Sequence, residues 1–168
     1  MNVVLCGMMG AGKSTVGFQL ARLAGKKWVD TDYLIEKRYG KISDIFASRG
    51  EAYFRALETD TVRSLSQKDG LVISTGGGLV MREENCALLK ENGKIVFLRA
   101  KLQTLLSRVK LDGTRPLLKE GNVEEKLTAL LEERMPVYER VSDLIVDTDG
   151  KKKYEIAREI FERLEGAL

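Results

Sequence analysis

One run near the start of the chain has the residue types and spacing of a phosphate-binding loop. Gly7-Met-Met-Gly-Ala-Gly-Lys13-Ser14 satisfies the pattern G-x-x-x-x-G-K-[ST] at every specified position. In such a loop, backbone N–H groups surround phosphate oxygens, the lysine reaches the terminal phosphates, and the hydroxyl binds Mg²⁺. We therefore expect Lys13 to act in catalysis and six residues to bind the nucleotide: Gly10, Ala11, Gly12, Lys13, Ser14 and Thr15. The alternative is an ordinary glycine turn between a strand and a helix.

Two carboxylates, Asp30 and Asp32, close the next apolar run of the chain. In an extended segment, residues i and i+2 point to the same side, so both carboxylates would face the phosphate-binding loop. One would hold the water shell of a metal ion and the other would orient an acceptor hydroxyl. The alternative is that Asp32 is only the N-cap of the following helix and Asp30 a solvated turn residue.

Three further segments carry groups that suit an anionic ligand. Arg55 follows Glu51 by one helical turn and precedes Glu58 by another, which also fits a surface ion pair on one helix. The triple glycine Gly76–Gly78 permits the close approach of a ligand or of another backbone. Arg134 lies at the end of a predicted helix, where it would equally complement the helix dipole. The residues alone leave each of these alternatives open.

The composition excludes several chemistries and partners. The chain has no histidine and only two cysteines, Cys6 and Cys86, which excludes Cys/His zinc sites and imidazole acid–base catalysis. A dispersed net charge of +3 does not favour nucleic-acid binding. No apolar run approaches the roughly 18 residues that a membrane-spanning helix needs, and the sequence pattern shows no signal peptide. We therefore expect a cytoplasmic protein with reduced, buried thiols, no membrane partner and no nucleic-acid partner.

The elements that must position these residues alternate along the chain. Short, nearly continuous apolar runs bounded by Gly, Asp or Ser are typical of strands buried on both faces of a parallel sheet. Strands are predicted at Asn2–Cys6, Lys27–Asp30, Leu71–Ser74, Lys94–Leu98 and Leu144–Asp147. Helices are predicted between and after them, at Lys13–Ala24, Glu83–Asn92, Leu102–Val109, Val123–Arg134 and Tyr154–Leu164. This alternation predicts an α/β fold whose parallel sheet is covered by helices.

Two stretches interrupt the alternation within the single domain that we expect over residues 1–168. Residues 31–69 carry three helical pieces, at Tyr33–Tyr39, Ser43–Ala47 and Glu51–Ser66, where one crossover helix would suffice. Such an insertion is often a substrate-binding subdomain. Residues 110–122 have two glycines, a proline and mixed charges without helical period, which is typical of a functional or disordered loop.

Six motifs, in this order, resemble those of the shikimate kinase family: the P-loop, D-x-D-x-x-I-E, G-E-x-x-F-R-x-x-E, G-G-G, T-R-P-L and E-R-x-P-x-Y. The resemblance implies the three-layer P-loop NTPase fold of the nucleoside-monophosphate-kinase type. That fold has a five-stranded parallel sheet, here with a substrate-binding insertion at 31–69 and a mobile lid at 110–122. It also implies transfer of the γ-phosphoryl group of ATP to the 3-hydroxyl of shikimate, a step of chorismate and aromatic amino-acid biosynthesis. ATP and shikimate would be the partners and Mg²⁺ the cofactor.

The resemblance implies roles on the nucleotide side of the site. Ser14 and Asp30 resemble the magnesium positions, and Arg108 resembles the residue beside the adenine. Arg115 resembles a catalytic lid arginine that closes on the phosphates.

The chain departs from the family pattern in one segment. It reads Asp149-Gly-Lys-Lys-Lys where many relatives carry an arginine or proline near the adenine. The resemblance therefore assigns no base contact to Lys151.

On the acceptor side, Asp32 resembles the residue that hydrogen-bonds the reacting hydroxyl and acts as its base. Arg55, Gly77 and Arg134 resemble the shikimate-binding set, with both arginines facing the carboxylate. A planar guanidinium matches a carboxylate with two parallel hydrogen bonds, which suits a small organic acid.

Two other functions stay open. The first is a kinase of similar fold that acts on gluconate or a nucleoside monophosphate, and the second is a nucleotide-binding relative that has lost catalysis. The retained Lys13, Asp32, Arg55, Arg115 and Arg134 favour an active enzyme on a polyhydroxy acid. We expect a monomer, with fusion to another pathway enzyme in a longer natural chain as an alternative.

Overall fold

The computed structural model describes residues 1–109 and 121–166. Arg115 and nearly all of the predicted lid at 110–122 therefore lie outside the described residues. Five strands form one sheet in which every pairing is parallel: β1 (Asn2–Cys6), β2 (Lys27–Asp30), β3 (Leu71–Ser74), β4 (Gly93–Arg99) and β5 (Leu144–Asp147). Their order across the sheet is β2-β3-β1-β4-β5. The predicted α/β fold with a five-stranded parallel sheet is confirmed.

Helices fill the connections between the strands of the described chain. They are α1 (Lys13–Ala24), α2 (Thr31–Tyr39), α3 (Ile42–Arg49), α4 (Glu51–Ser66), α5 (Glu83–Glu91), α6 (Leu102–Val109), α7 (Val123–Val141) and α8 (Lys153–Leu164), with a 3₁₀ turn at Leu79–Met81. Within 1–109 and 121–166, no helix has both the length and the apolar character needed to cross a membrane.

Burial differs between the centre and the edges of the sheet. Every residue of β1 and β3 is buried, as the apolar runs predicted. The expectation of burial on both faces is wrong for the edge strands, because β2 and β5 each have only one neighbouring strand and stay partly open to solvent. Cys6 and Cys86 are buried and free, as expected. Burial raises the pKa of the Cys6 thiol to about 12.

The insertion between β2 and β3 folds around a hydrophobic cluster of its own. Ile35, Ile45, Phe54 and Leu57 from α2, α3 and α4 are buried together, separately from the main core. This packing fixes the face that α4 turns toward the sheet, and α4 carries two of the charged residues of the site.

Helix α7 is longer than predicted. The expected end at Arg134 is wrong, because the helix continues through Pro136 to Val141. Proline removes one backbone donor and crowds the preceding turn, which normally ends or kinks a helix. Here packing opposes that effect, because the Tyr138 ring stacks on Phe97 of β4 with centroids 4.9 Å apart.

Candidate active site

The phosphate-binding loop connects β1 to α1 and places Lys13 at the first position of the helix. Gly12, just before it, has a φ of 90°, which is strained for any residue with a side chain. The Val16 amide donates to the Gly12 carbonyl, so the positive end of α1 lies at the loop. Lys13 Nζ donates to the carbonyl oxygens of Gly7 and Met8 at 2.8 and 2.9 Å. Together the loop, helix end and ammonium form a concavity suited to phosphate.

Ser14 and Asp30 meet at the rim of this loop. Ser14 Oγ donates to Asp30 Oδ2 at 2.6 Å, and Asp30 Oδ1 accepts from the Tyr33 amide at 3.1 Å. Asp30 is thus the N-cap of α2, and Asp32 lies in its first turn. The extended geometry expected for the two aspartates is wrong, because this cap starts the helix directly at the end of β2. The interpretation of Asp32 as the N-cap and Asp30 as a turn residue is wrong for the same reason.

Gly76, the first of three glycines that follow β3, lies against two carboxylates. A Cβ on Gly76 would stand 2.7 Å from Asp32 Oδ1 and 3.0 Å from Glu58 Oε1. A side chain here would displace both groups, so glycine lets the two carboxylates approach the loop. The Gly76 amide donates to Thr31 Oγ1 at 3.1 Å, which ties the glycine loop to the start of α2.

The next two glycines lie against the two arginines. A Cβ on Gly77 would stand 3.0 Å from Arg134 Nη1, and one on Gly78 would stand 2.6 Å from both terminal nitrogens of Arg55. The glycine loop therefore brings together, from α2, α4 and α7, the residues that the sequence singled out for the acceptor.

Arg134 is held deep in the protein by its helix. Its side chain is only 5% exposed, and it lies one turn before Tyr138, whose hydroxyl donates to the Gly77 carbonyl at 2.6 Å. Because α7 continues to Val141, the interpretation of Arg134 as a residue that complements a helix end is wrong. In the described part of the chain, no carboxylate forms an ion pair with Arg134, so its positive charge is available to an anion.

Arg55 forms both ion pairs that its spacing predicts, and the pair with Glu58 is buried whereas Glu51 is exposed. Its guanidinium donates to Glu58 at 2.9 Å and to Glu51 at 3.1 Å, and the Glu58 side chain is only 1% exposed. Burial raises the pKa of Glu58 to about 6, although the neighbouring Arg55 opposes this shift. Sequence reasoning treated Glu58 only as an ion-pair partner. The signal that it belongs to the site is its place one turn after Arg55, on the same helix face.

Arg108 and Lys151 differ in their relation to the loop. Arg108 Nη1 donates to the Gly10 carbonyl at 2.8 Å, which places this guanidinium at the outer side of the loop. Lys151 Nζ instead pairs with Glu159 of α8 at 2.6 Å. The structure thus brings Arg108 to the nucleotide loop and ties Lys151 to a carboxylate of the helix that follows it.

A hydrogen-bonded chain supports the loop from the sheet. Trp28 of β2 donates through Nε1 to Ser74 Oγ at 3.0 Å, and Ser74 Oγ donates to the Lys13 carbonyl at 2.8 Å. Both side chains crowd Gly17 of α1, where a Cβ would stand 2.9 Å from the indole nitrogen. This packing holds the first turn of α1 in register with β2 and β3.

A phosphate-binding loop at the carboxyl ends of a parallel sheet, beside a pocket of paired arginines and carboxylates, defines the class of protein. Phosphoryl transfer requires positioning and charge stabilisation more than covalent chemistry, and this arrangement provides both. The fold and the site define a P-loop kinase that acts on a small anionic acceptor.

Comparison with known proteins identifies the family within that class. The shikimate kinase family profile matches residues 9–165. A shikimate kinase of Sulfurihydrogenibium is 45% identical over 164 residues, covering 97% of each chain. One of Geobacter sulfurreducens is 48% identical over 160 residues, covering 95% of this chain and 88% of its own. The chain belongs to the shikimate kinase family.

Solved structures agree with this assignment. Shikimate kinase from Acinetobacter baumannii, in complex with shikimate, has a TM-score of 0.94 and 37% identity over 99% of this chain and 93% of its own. Deoxyadenosine kinase from M. mycoides has a TM-score of 0.65 at 18% identity over 99% of this chain and 100% of its own, which shows a shared fold alone.

Proposed function

We propose that this chain transfers the γ-phosphoryl group of ATP to the 3-hydroxyl of shikimate, giving shikimate 3-phosphate and ADP for chorismate and aromatic amino-acid biosynthesis. Full-length relatives named shikimate kinase and a structural neighbour with bound shikimate support this function. The observation that carries it is the glycine loop against which Asp32, Arg55 and Arg134 converge from separate helices. These groups match an acid that carries one carboxylate and several hydroxyls.

On the nucleotide side, the backbone amides of the loop and Lys13 hold the β- and γ-phosphates of ATP. The residues in contact with the nucleotide are Gly10, Ala11, Gly12, Lys13, Ser14, Thr15 and Arg108. Lys13 neutralises the negative charge that develops on the transferred group, which lowers the barrier in the transition state. Arg115, by its resemblance to the family's lid arginine, closes over the phosphates and excludes water.

Ser14 and Asp30 hold the Mg²⁺ that accompanies ATP. Their oxygens are 2.6 Å apart at the rim of the phosphate loop, and Mg²⁺ prefers one or two such oxygens together with phosphate and water. A Mg²⁺ ion held there would shield the negative charge of the phosphates during transfer. To offer its oxygen to the ion, Ser14 would turn its proton away, while Asp30 would still cap α2 through the Tyr33 amide.

On the acceptor side, Arg55 and Arg134 clamp the carboxylate of shikimate, and Gly77 leaves space for its ring. Asp32 accepts a hydrogen bond from the 3-hydroxyl, orients it toward the γ-phosphate, and takes its proton as the new bond forms. One chain supplies every one of these groups, so we infer that a monomer is active.

A panel of acceptors tests this function. ADP release is measured with shikimate, gluconate, AMP and CMP in parallel, at equal concentrations with MgATP. We expect turnover with shikimate alone. Turnover with gluconate or a nucleotide would reassign the acceptor, and tight shikimate binding without ADP release would indicate a non-catalytic relative.

A further inference from the structure

Lys153, the first residue of α8, extends across the phosphate-binding loop. A Cβ on Gly12 would stand 2.8 Å from Lys153 Cε and 3.3 Å from its Cδ, and the ammonium is closer still. The whole outer half of this side chain therefore lies over the point at which the loop ends and α1 begins. A side chain at Gly12 would displace the end of Lys153, and the φ of 90° at Gly12 would strain it.

The Lys153 ammonium is buried without a compensating acceptor. Nζ is shielded from solvent, and among residues 1–109 and 121–166 no group accepts a hydrogen bond from it. Burial and the neighbouring positive charge of Arg108 lower the pKa of Lys153. Asp149, four residues earlier in the chain, accepts instead from Thr104 Oγ1 at 2.6 Å and from the Lys101 amide at 3.2 Å.

The surroundings of this ammonium are positive from several directions. The first turns of α1 and α8 both present the positive ends of helices. Arg108 adds a guanidinium at Gly10. A buried cation in such a field is costly unless an anion accompanies it. The local charge therefore matches a polyanionic ligand.

Only the third of three consecutive lysines has this placement. Lys151 pairs with Glu159 at 2.6 Å, and Lys152 is exposed. The sequence alone gives the three identical residues no distinct roles. The structure distinguishes them, because at the start of α8 only the Lys153 side chain extends toward Gly12.

We propose that Lys153 binds the phosphate chain of the nucleotide, as a cation at the Gly12 end of the loop that complements Lys13 at the Gly7 end. This inference rests on the proposed function only in taking a nucleotide as the ligand of the loop. An ammonium that meets a phosphate oxygen forms a charge-assisted hydrogen bond, and the phosphate would compensate the buried charge of Lys153.

Calorimetric titration of Lys153→Met with ADP and with inorganic tripolyphosphate tests the proposal. We expect both ligands to bind about tenfold more weakly, because a hydrogen bond to a charged group is lost. Lys153→Arg should retain most of the affinity. Lys152→Met is the matched control, since it removes the same charge one residue away, and should bind both ligands like the parent chain. Thermal unfolding and shikimate binding verify that each variant is folded.

Each other outcome has a distinct meaning. Unchanged ADP affinity in Lys153→Met would overturn the proposal. Tighter binding would overturn it too, since the side chain would then occupy space that the phosphates require. A loss with ADP but not with tripolyphosphate would move the contact to the base or ribose and overturn the phosphate assignment. The titration of the parent chain tests the proposed function by itself. If the parent chain binds no ADP, the proposed function fails, whereas the inference about Lys153 fails only if the parent binds ADP and Lys153→Met binds it equally well.

Discussion

The nucleotide half and the acceptor half of the site hold their cations in different ways. In the nucleotide half, Lys13 and Arg108 donate to backbone carbonyls of the loop, which are neutral. In the acceptor half, Arg55 is paired with Glu51 and Glu58, and acidic and basic groups nearly balance.

This difference matches the charges of the two proposed ligands. A nucleoside triphosphate carries several negative charges and is bound best where several cations lie close together. Shikimate carries one carboxylate and several hydroxyls, so its half requires one uncompensated cation together with hydrogen-bond acceptors. The buried Arg134 provides that cation, while Asp32 and Glu58 provide acceptors. The charge of each half therefore indicates its ligand.

The largest expected effect comes from the nucleotide half. Lys13→Met should lower turnover by about 10³-fold or more, because the developing charge on the γ-phosphate loses its closest cation. Steady-state ADP release and a thermal unfolding curve measure the effect and the state of the fold. Lys68→Met, which removes an exposed lysine before β3, is the control and should keep the parent rate. A folded Lys13→Met chain with near-normal turnover would remove the loop from the mechanism.

The next largest effect concerns the reacting hydroxyl. Asp32→Asn should lower kcat by about 10²-fold or more while the KM for shikimate changes little, because the amide keeps the shape but cannot take the proton. Steady-state kinetics with varied shikimate separate the two parameters. A variant that raises KM and keeps kcat would show that Asp32 only binds the acceptor.

Replacing either arginine of the acceptor half should weaken the binding of shikimate but not that of the nucleotide. Arg55→Leu and Arg134→Leu should each weaken shikimate binding by about 1.5–3 kcal/mol, the usual contribution of a hydrogen bond to a charged group. Binding of an ATP analogue should stay nearly unchanged. Arg→Lys should restore little, because an ammonium cannot form two parallel hydrogen bonds with a carboxylate. Calorimetric titration of each ligand measures both affinities.

A matched control for these variants lies on the same helix. Arg63 of α4 is exposed and pairs with Asp60 at 3.1 Å and with Glu84 at 2.5 Å, so Arg63→Leu removes only surface ion pairs. Shikimate affinity in Arg63→Leu should equal that of the parent. If Arg55→Leu behaves in the same way, Arg55 is a structural ion-pair residue and the two-arginine clamp is wrong.

The smallest expected effect concerns the pH dependence of stability. The pKa of Glu58 is about 6 in the folded chain, against an ordinary 4.5. Between pH 4.5 and 6 the folded state therefore binds more protons at this group than the unfolded state does. The free energy of unfolding therefore decreases by about 2 kcal/mol at most as the pH rises from 4.5 to 7, through the contribution of this group. Glu58→Gln should lack that contribution, and urea unfolding at both pH values measures the difference. The control is Glu51→Gln, at an exposed position. If the free energy of unfolding depends on pH equally in the parent and in Glu58→Gln, burial does not raise the pKa of Glu58.

The strands and the phosphate loop could be predicted closely because their signals are local. Continuous apolar runs define β1 and β3, and the glycine pattern before Lys13 requires a strand before it and a helix after it. The course of α7 could not be predicted in this way. Pro136 is a local signal to stop, and only the packing of Tyr138 on Phe97, across a long stretch of sequence, opposes it.

The roles of charged residues were predictable only in part. Arg55 and its two glutamates have helical spacing, but the spacing does not tell a surface pair from a buried one. The burial of Arg55 depends on the glycine loop, which comes from another part of the chain. A side chain at Gly78 of that loop would collide with the Arg55 guanidinium. The position of Lys153 over the phosphate loop could not be predicted from the sequence, because the two preceding residues are also lysines and nothing local distinguishes the three.

Trp28 is the one tryptophan of the chain, and it is linked through Ser74 to the carbonyl of Lys13. The indole is 37% exposed and lies edge-on to Phe18 of α1 at 5.9 Å, so its surroundings depend on the position of that helix. The chain thereby contains a natural fluorophore joined by two hydrogen bonds to its phosphate-binding lysine. Its emission offers an optical readout of nucleotide titrations without any added label.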